Sequence, residues 1–295
     1  MEYYWWLMVI SIGVALLELC WPARKQQKIR PWIWSDCIHL VFNGHFLGAW
    51  LYLISVNHIV PVLDSMLVNL EWFELIYRSA AQELPLWLQV LLTIVVVDFV
   101  HWNIHRLLHR VELLWRFHQV HHSVKDGEMD WIVAFRFSWV EPVVYKSLSY
   151  LPLAWLGFLP EAIFAHAVFG TLIGHLNHSN LSWDYGPLRY VLNSPKMHLH
   201  HHSYDAPEHG HNFGIILSCW DWIFQTAHLP SEAPKRLGFR GEEAVPQDFL
   251  GHMSWPISLF IDEEGTNWKR SLLGAGVFGV LYVASSTLLF SGAIS

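Results

Sequence analysis

Histidine is the residue whose abundance and spacing point most directly to chemistry. The chain contains 20 histidines, against 18 lysine and arginine residues together. Many of these histidines lie in three short clusters. A neutral imidazole is a ligand suited to iron, zinc and copper. A clustered excess of histidine therefore predicts a metal site.

The three clusters have the spacing of α-helices. They are His101, His105 and His109; then His118, His121 and His122; then His198, His200, His201 and His202. Positions i, i+3 and i+4 are neighbours on a helix surface. We expect one such face to supply most of the ligands of one metal, and three faces brought together to hold two metals. His200 points away from its neighbours, and His209 and His211 read as a solvated pair rather than ligands.

Packing roles and other metal chemistry are the alternatives. Isolated histidines such as His39, His45, His58, His166, His228 and His252 read as hydrogen-bonded packing residues. The clusters lack the glutamates of soluble di-iron bundles, so the ligand shell would be almost all nitrogen. No HExxH motif supports a zinc hydrolase. Zinc binds nitrogen sites more tightly than ferrous iron, so a purified sample could carry either metal.

The overall composition is that of a membrane protein. Of 295 residues, 53% are apolar and 15% are charged, whereas soluble proteins carry about 25% charged residues. The net charge of −7 with few basic residues excludes nucleic acid as a partner. Three cysteines without CxxC spacing give neither a disulfide framework nor a thiolate zinc site.

Apolar stretches predict an all-α bundle of membrane helices. They cover residues 3–21, 37–63, 84–104, 143–176 and 272–290, the fourth being a hairpin broken at Leu159-Pro160. The longer stretches can cross a hydrocarbon core of roughly 30 Å. The first lacks a basic leading region and a cleavage site, which predicts an anchor rather than a signal peptide. The segment 64–83 is expected to lie along the membrane surface.

Basic residues set the predicted orientation, because short cytosolic loops are rich in lysine and arginine. With the N-terminus outside, the basic run 24–30 and the segments 105–141 and 179–270 are cytosolic, and Arg78 alone falls clearly outside. We therefore expect a multi-pass protein with its histidine clusters in a cytosolic cap. Residues 1–84 would form the N-terminal membrane region, 85–260 the catalytic domain and 261–295 a C-terminal span. Short loops without sorting signals favour a bacterial inner membrane.

Four motifs occur in the order found in a known superfamily. They are DFVHWNIHRLLH (98–109), LWRFHQVHHS (114–123), HSNL (178–181) and NSPKMHLHHHS (193–203), followed by NFG (212–214) and WDWIF (220–224). Together they resemble the histidine boxes of the fatty acid hydroxylase/sterol desaturase superfamily over about residues 85–260. Three positions depart from the pattern. Ser138 stands where many relatives have histidine, Gln225 replaces a usual glycine, and His101 occupies an often aromatic position.

The resemblance implies a di-iron site with oxygen as co-substrate and no catalytic residue beyond the metal ligands. The ligands that it implies are His105, His109, His118, His121, His122, His178, His198, His201 and His202. His175 and His101 are further candidates. The second ring nitrogens of such ligands need hydrogen-bond partners. The candidates for this role are Asp98, Asn180, Asn212 and Asp221.

The expected reaction is hydroxylation of a lipid drawn from the bilayer, with desaturation as the alternative. No haem-binding domain or Gly-rich flavin motif is visible in the sequence, which predicts a separate electron-donor protein. Non-catalytic metal binding or transport would use the same histidines. Transport pathways place ionisable groups at mid-bilayer, whereas these clusters lie beyond the ends of the spans. The sequence does not indicate an oligomeric state.

Overall fold

The computed structural model describes residues 3–27, 29–67, 79–124, 127–204, 210–258 and 276. Regular secondary structure in these ranges is helical, apart from two isolated β-bridges, Leu192 with Leu217 and Ser203 with Leu237. The all-α fold is therefore confirmed for the part of the chain that the structure describes.

Twelve α-helices follow one another in the described ranges. They are α1 (Tyr3–Cys20), α2 (Ile33–Val41), α3 (Leu47–Ile54), α4 (Val60–Leu67), α5 (Ser79–Gln82), α6 (Leu86–Arg110), α7 (Glu112–His122), α8 (Val140–Trp155), α9 (Pro160–His178), α10 (Pro195–His201), α11 (Cys219–Ile223) and α12 (Phe249–Ser258). Two π-helical turns, Phe42–Phe46 and Ser55–Ile59, join α2, α3 and α4 into one helical run. Short 3₁₀ turns cover Trp131–Phe135, Gly186–Tyr190 and Glu242–Ala244.

Among the described helices, α1 and α6 are long and apolar enough to cross a membrane, judged by length and composition. They coincide with the predicted stretches 3–21 and 84–104. The predicted stretch 37–63 is helical, but it consists of shorter helices joined by the π-helical turns. The predicted span 272–290 lies outside the described residues apart from residue 276, and so does most of the segment 64–83.

The helical hairpin breaks where the sequence predicts. Leu159 is extended, and Pro160 is the first residue of α9. Proline suits this position because its fixed φ matches the helix and the N–H that it lacks would have no intrahelical partner there. The two arms of the hairpin, α8 and α9, both pack against α6.

Packing brings four helix ends together. Helix α9 lies between α1 and α6, and it also packs against α10. Helix α6 packs against α7, which in turn contacts α12. An apolar cluster that includes Ile10, Val14, Ile173 and Ile216 joins α1 to α9 and to the loop before α11. As a result, the C-terminal ends of α6, α7 and α9 meet the short helix α10.

A buried ion-pair network fixes the chain beside this meeting point. Arg136 donates two hydrogen bonds to Asp36, with N···O distances of 2.7 and 2.9 Å. Arg30 bridges Asp36 at 2.8 Å and Asp130 at 2.7 Å. Burial alone would raise the pKa of Asp36, but the two guanidinium groups hold that pKa below its ordinary value. Arg136 also donates to the carbonyl of Ser123, directly after α7.

Candidate metal centre

Nine histidines converge where α6, α7, α9 and α10 meet. In the five-histidine group, one ring nitrogen from each member lies within 4.8 Å of the others: His105, His109, His118, His122 and His201. The four-histidine group meets the same criterion with His121, His178, His198 and His202. These are the nine residues that the resemblance implies as ligands. The structure brings all of them together, and all but His109 are buried.

Each of two histidine clusters divides between the two groups, which differs from the expectation that one helical face would serve one metal. On α7, His118 and His122 join the five-histidine group, whereas His121 joins the other. At α10, His198 and His202, which are four residues apart, belong to the four-histidine group. His201, three residues after His198, belongs to the five-histidine group. The physical reason is angular, because positions i+3 and i+4 lie about 100° apart around a helix of 3.6 residues per turn.

His118 lies at the centre of the five-histidine group. Its Nε2 is 3.1 Å from Nε2 of His105 and 3.2 Å from Nε2 of His122. Its Nδ1 donates to the carboxylate of Glu141, with an N···O distance of 2.6 Å. An imidazole has only one hydrogen or one lone pair at each nitrogen. The Nε2 of His118 therefore cannot satisfy both neighbours by hydrogen bonding.

The four-histidine group repeats this arrangement around His178. The Nε2 of His178 is 3.0 Å from Nε2 of His121 and 3.0 Å from Nε2 of His198. His198 is in turn 3.2 Å from His202 between their Nε2 atoms. Two nitrogens bound at roughly 2.1 Å to one metal lie about 3.0 to 3.4 Å apart for ligand angles between 90° and 109°. The observed separations fit a shared cation.

Backbone carbonyls determine which nitrogen of several rings carries the hydrogen. The Nδ1 atoms donate to carbonyl oxygens in four cases: His105 to Phe213, His121 to Arg136, His178 to Gly174 and His201 to His211, over 2.7 to 3.2 Å. A carbonyl oxygen only accepts, so Nε2 of these neutral rings presents a lone pair. His121 and His178 thus aim two lone pairs at each other, and only a proton or a metal between them makes this contact favourable.

Burial keeps the histidines in the form that binds metals. It is the largest cause that lowers the pKa of five of them well below the ordinary value, with neighbouring imidazoles adding to the effect: His118, His121, His122, His198 and His202. Neutral imidazole is the ligand form, because a metal must otherwise displace a proton. The donor set fits two first-row transition metals, and it is all nitrogen as the sequence predicts.

Aromatic side chains enclose the nine histidines. Phe213 contacts His105, His109 and His201, with ring centroids 5.5 to 5.9 Å apart. Trp115 lies 5.1 Å from His109, and Phe137 stacks on His121 at 4.9 Å. These contacts limit the access of water, which strengthens electrostatic interactions within the site.

Glu141 is the functional residue that the sequence analysis missed. Its side chain and that of His118 are each 1% exposed. A carboxylate on the far nitrogen of a ligand fixes the ring and raises its basicity. The signal was present in the sequence, since Glu141 is a lone carboxylate at the start of an apolar hairpin. It lies three residues after Ser138, whose Oγ is 3.5 Å from Glu141 Oε1.

Asp98 and Asp221 act on the centre through the backbone. Asp98 accepts hydrogen bonds from the backbone N–H groups of Ile216 and Leu217, at 2.7 and 3.0 Å. Asp221 accepts from the N–H of Phe213 at 3.0 Å, and the carbonyl of Phe213 holds His105. The two carboxylates therefore fix the loop that orients a ring of the five-histidine group.

Asn180 and Asn212 also form hydrogen bonds with the backbone. Asn180 exchanges hydrogen bonds with the backbone of Arg24, at 3.1 and 2.7 Å. Asn212 donates to the carbonyl of Met197 at 2.8 Å, one residue before His198. Its own backbone has φ of +58°, a conformation that asparagine tolerates better than most residues. The assignment of these four residues as supports of the ligand rings stays a prediction, and the hydrogen bonds described here connect them to the backbone around the site.

The two further ligand candidates lie outside both groups. The ring of His175 is held by Ser11, with its Nε2 3.0 Å from the hydroxyl oxygen, and packs between Trp131 and Phe135. His101 contacts the rings of Tyr145 and His166 instead. His200 lies against His228, 5.7 Å between ring centroids. His209 lies outside the described residues.

Comparison with known proteins agrees with this geometry. The sequence model of the fatty acid hydroxylase family matches residues 90–226, which include all nine histidines. The ornithine lipid hydroxylase OlsE of Rhizobium tropici is 35% identical over 176 residues, which are 59% of this chain and 52% of that protein. Alkylglycerol monooxygenase of Danio rerio is 35% identical over 223 residues, 73% of this chain and 45% of that protein. The alkylglycerol monooxygenase of Homo sapiens is 34% identical over 138 residues, which are 46% of this chain and 30% of that protein.

The chain thus spans about half or less of the length of these curated relatives. No solved structure matches it. The matched segment contains the four histidine motifs and all nine members of the two histidine groups. Residues 90–226 of this chain match the fatty acid hydroxylase family.

Proposed function

We propose that this protein is a membrane-bound di-iron oxygenase that hydroxylates a lipid with dioxygen and electrons from a separate donor protein. The main support for the proposal is the pair of histidine groups, which bring together five ring nitrogens in one group and four in the other. Relatives named as lipid hydroxylases and monooxygenases support the reaction class. Iron bound in both groups would supply the oxidising power needed for an unactivated C–H bond.

The chain's own residues hold the ligands and keep water away. Carbonyl groups and Glu141 take the outward Nδ1 hydrogens, so that the inward Nε2 atoms present lone pairs. Asp98 and Asp221 fix the loop around Phe213. The aromatic enclosure lowers the local dielectric and keeps a reactive centre from bulk solvent. These groups position the site rather than exchange protons with the substrate.

A multi-pass arrangement with a cytosolic site suits the charge distribution. Helices α1 and α6 are the candidate spans among the described helices, and the stretches 37–63, 143–176 and 272–290 are the further membrane segments that we propose. The basic run 24–30 and the segments 105–141 and 179–270 would face the cytosol. The proposed catalytic domain, 85–260, contains the whole family match. A lipid would reach the site sideways from the bilayer, between α6 and the α8–α9 hairpin.

The test is oxygen incorporation by iron-loaded protein. Membranes from cells that express the chain, and from cells with the His121→Ala variant, are incubated under ¹⁸O₂ with a chemical or protein reductant, and their lipids are compared by mass spectrometry. We expect a lipid that gains one ¹⁸O atom only with the unaltered chain. Loss of two hydrogens without ¹⁸O would indicate desaturation. No lipid change despite bound iron would contradict an oxygenase.

A further inference from the structure

Two histidines outside the metal groups lie close together inside the helical bundle. His101 on α6 and His166 on α9 have ring centroids 6.1 Å apart. The Nε2 atom of each is buried and has no hydrogen-bond partner, and His166 as a whole is only 3% exposed. A buried polar atom without a partner is costly. Two of them side by side indicate that a further polar group completes the arrangement.

Two tyrosines orient these rings. The hydroxyl of Tyr150 on α8 lies 3.1 Å from Nδ1 of His166. Tyr145, also on α8, meets the ring of His101 edge-on at 4.9 Å between centroids. The four side chains, which we call the polar cluster, therefore come from the three helices α6, α8 and α9. A ring already bonded at Nδ1 keeps its orientation, so Nε2 of His166 is preorganised for a ligand.

The position of the polar cluster relates it to the metal centre. His101 precedes His105 by four residues on α6, which is one helical turn or about 6 Å along the axis. The cluster thus lies one turn from the five-histidine group, towards the apolar part of α6. A lipid that enters between α6 and the α8–α9 hairpin would pass it. Imidazole and hydroxyl groups form hydrogen bonds with oxygen atoms without requiring a full charge.

We propose that the polar cluster binds the uncharged oxygen-bearing group of the lipid substrate, a hydroxyl, ether or carbonyl oxygen, while the alkyl part extends to the histidine groups. The inference deepens the proposed lipid oxidation and rests on it. It assigns His101 a role in substrate binding in place of metal ligation. It also gives the bundle a way to select amphiphilic lipids over plain hydrocarbons, because an alkyl chain alone leaves both Nε2 atoms unpaired.

The experiment measures binding rather than turnover, so that a failure of the oxygenase proposal would not obscure it. Protein in lipid nanodiscs is photo-crosslinked with a diazirine derivative of 1-hexadecanol, in competition with unlabelled 1-hexadecanol or n-hexadecane. The variants are His101→Phe and His166→Phe, with His166→Gln as a variant that keeps a hydrogen-bonding amide. His45→Phe is the matched control, because His45 contacts Tyr4 and Phe46 outside the polar cluster.

We expect 1-hexadecanol to compete about tenfold better than n-hexadecane in the unaltered chain and in His45→Phe, which corresponds to about 1.4 kcal/mol. The ratio should fall towards one in His101→Phe and His166→Phe and recover in part in His166→Gln. Competition by n-hexadecane should stay the same in all variants. An unchanged ratio in the two phenylalanine variants would overturn the proposal. A parallel loss of both competitors would also overturn it, because that result indicates a packing role.

Discussion

Removal of the Glu141 carboxylate should weaken one metal position and leave the other intact. The Glu141 carboxylate lies 2.6 Å from Nδ1 of His118. Both side chains are 1% exposed, so no bulk water replaces the carboxylate. His118 belongs to the five-histidine group, and the His178 centre of the other group bonds to a backbone carbonyl instead. The effect of Glu141→Ala should therefore be confined to the five-histidine group.

The size of the effect follows from the lost hydrogen bond. A buried donor that loses its acceptor costs about 1 to 3 kcal/mol. At about 1.4 kcal/mol per factor of ten, this corresponds to a loss of roughly 5- to 140-fold in affinity. That range includes the roughly 10- to 100-fold loss typical of residues that support metal ligands. Glu141→Gln keeps an oxygen acceptor without the charge, so its loss should be smaller, about tenfold or less.

The assay is a competition titration of metal-free protein with Zn²⁺ and a chromophoric chelator, which resolves two binding phases. Zinc serves because it has no redox chemistry. Ser149→Ala is the matched control, since Ser149 lies buried on the same helix and donates a hydrogen bond to the carbonyl of Tyr145. We expect Glu141→Ala to weaken one phase and the control to weaken neither. Equal weakening of both phases, or of none, would refute the reasoning.

Three further predictions concern the loop, a backbone position and pH. Asp98→Asn should speed amide hydrogen exchange at residues 213–217, because the carboxylate accepts hydrogen bonds from two of their N–H groups. Unchanged exchange would show that the loop conformation does not depend on Asp98. Gln225→Gly should raise the unfolding temperature and stabilise the fold by up to about 1 kcal/mol, since Gln225 has φ of +58°; a lower temperature would contradict this. Metal-free protein should lose stability as pH falls from about 7 to about 5. Burial holds the pKa values of the clustered histidines below the unfolded value of about 6.5. In this pH range the unfolded chain therefore binds more protons than the folded chain, which favours unfolding. A melting temperature independent of pH in that range would exclude it.

Local periodicity explains what the sequence could predict. Ligand spacing on α7 and α10 follows from 3.6 residues per turn, so that His118 and His122, or His198 and His202, necessarily share a face. The break before Pro160 follows from the chemistry of proline at a helix start. The grouping of all nine histidines can be predicted once the ends of α6, α7, α9 and α10 are expected to meet.

Non-local contacts explain what the sequence could not. Two of the three clusters divide between the metal groups, and this division depends on how α7 and α10 are rotated against α6 and α9, which no single segment encodes. The carbonyls of Phe213, Gly174 and Arg136 orient the rings, and any residue type supplies a carbonyl. The sequence predicts Asp98 and Asp221 as supports of the ligand rings, but their hydrogen bonds to the loop backbone become visible only in three dimensions.

The most direct test of the central claim is metal content per chain. Protein is purified from iron-supplemented cells without a histidine tag, and iron and zinc are measured separately. We predict two metal ions per chain, with one lost in His201→Ala, from the five-histidine group, and one lost in His121→Ala, from the four-histidine group. His175→Ala should keep both, since His175 bonds to Ser11 outside the groups. No stoichiometric metal in the unaltered chain, or full metal content in both group variants, would contradict a dinuclear centre at these residues.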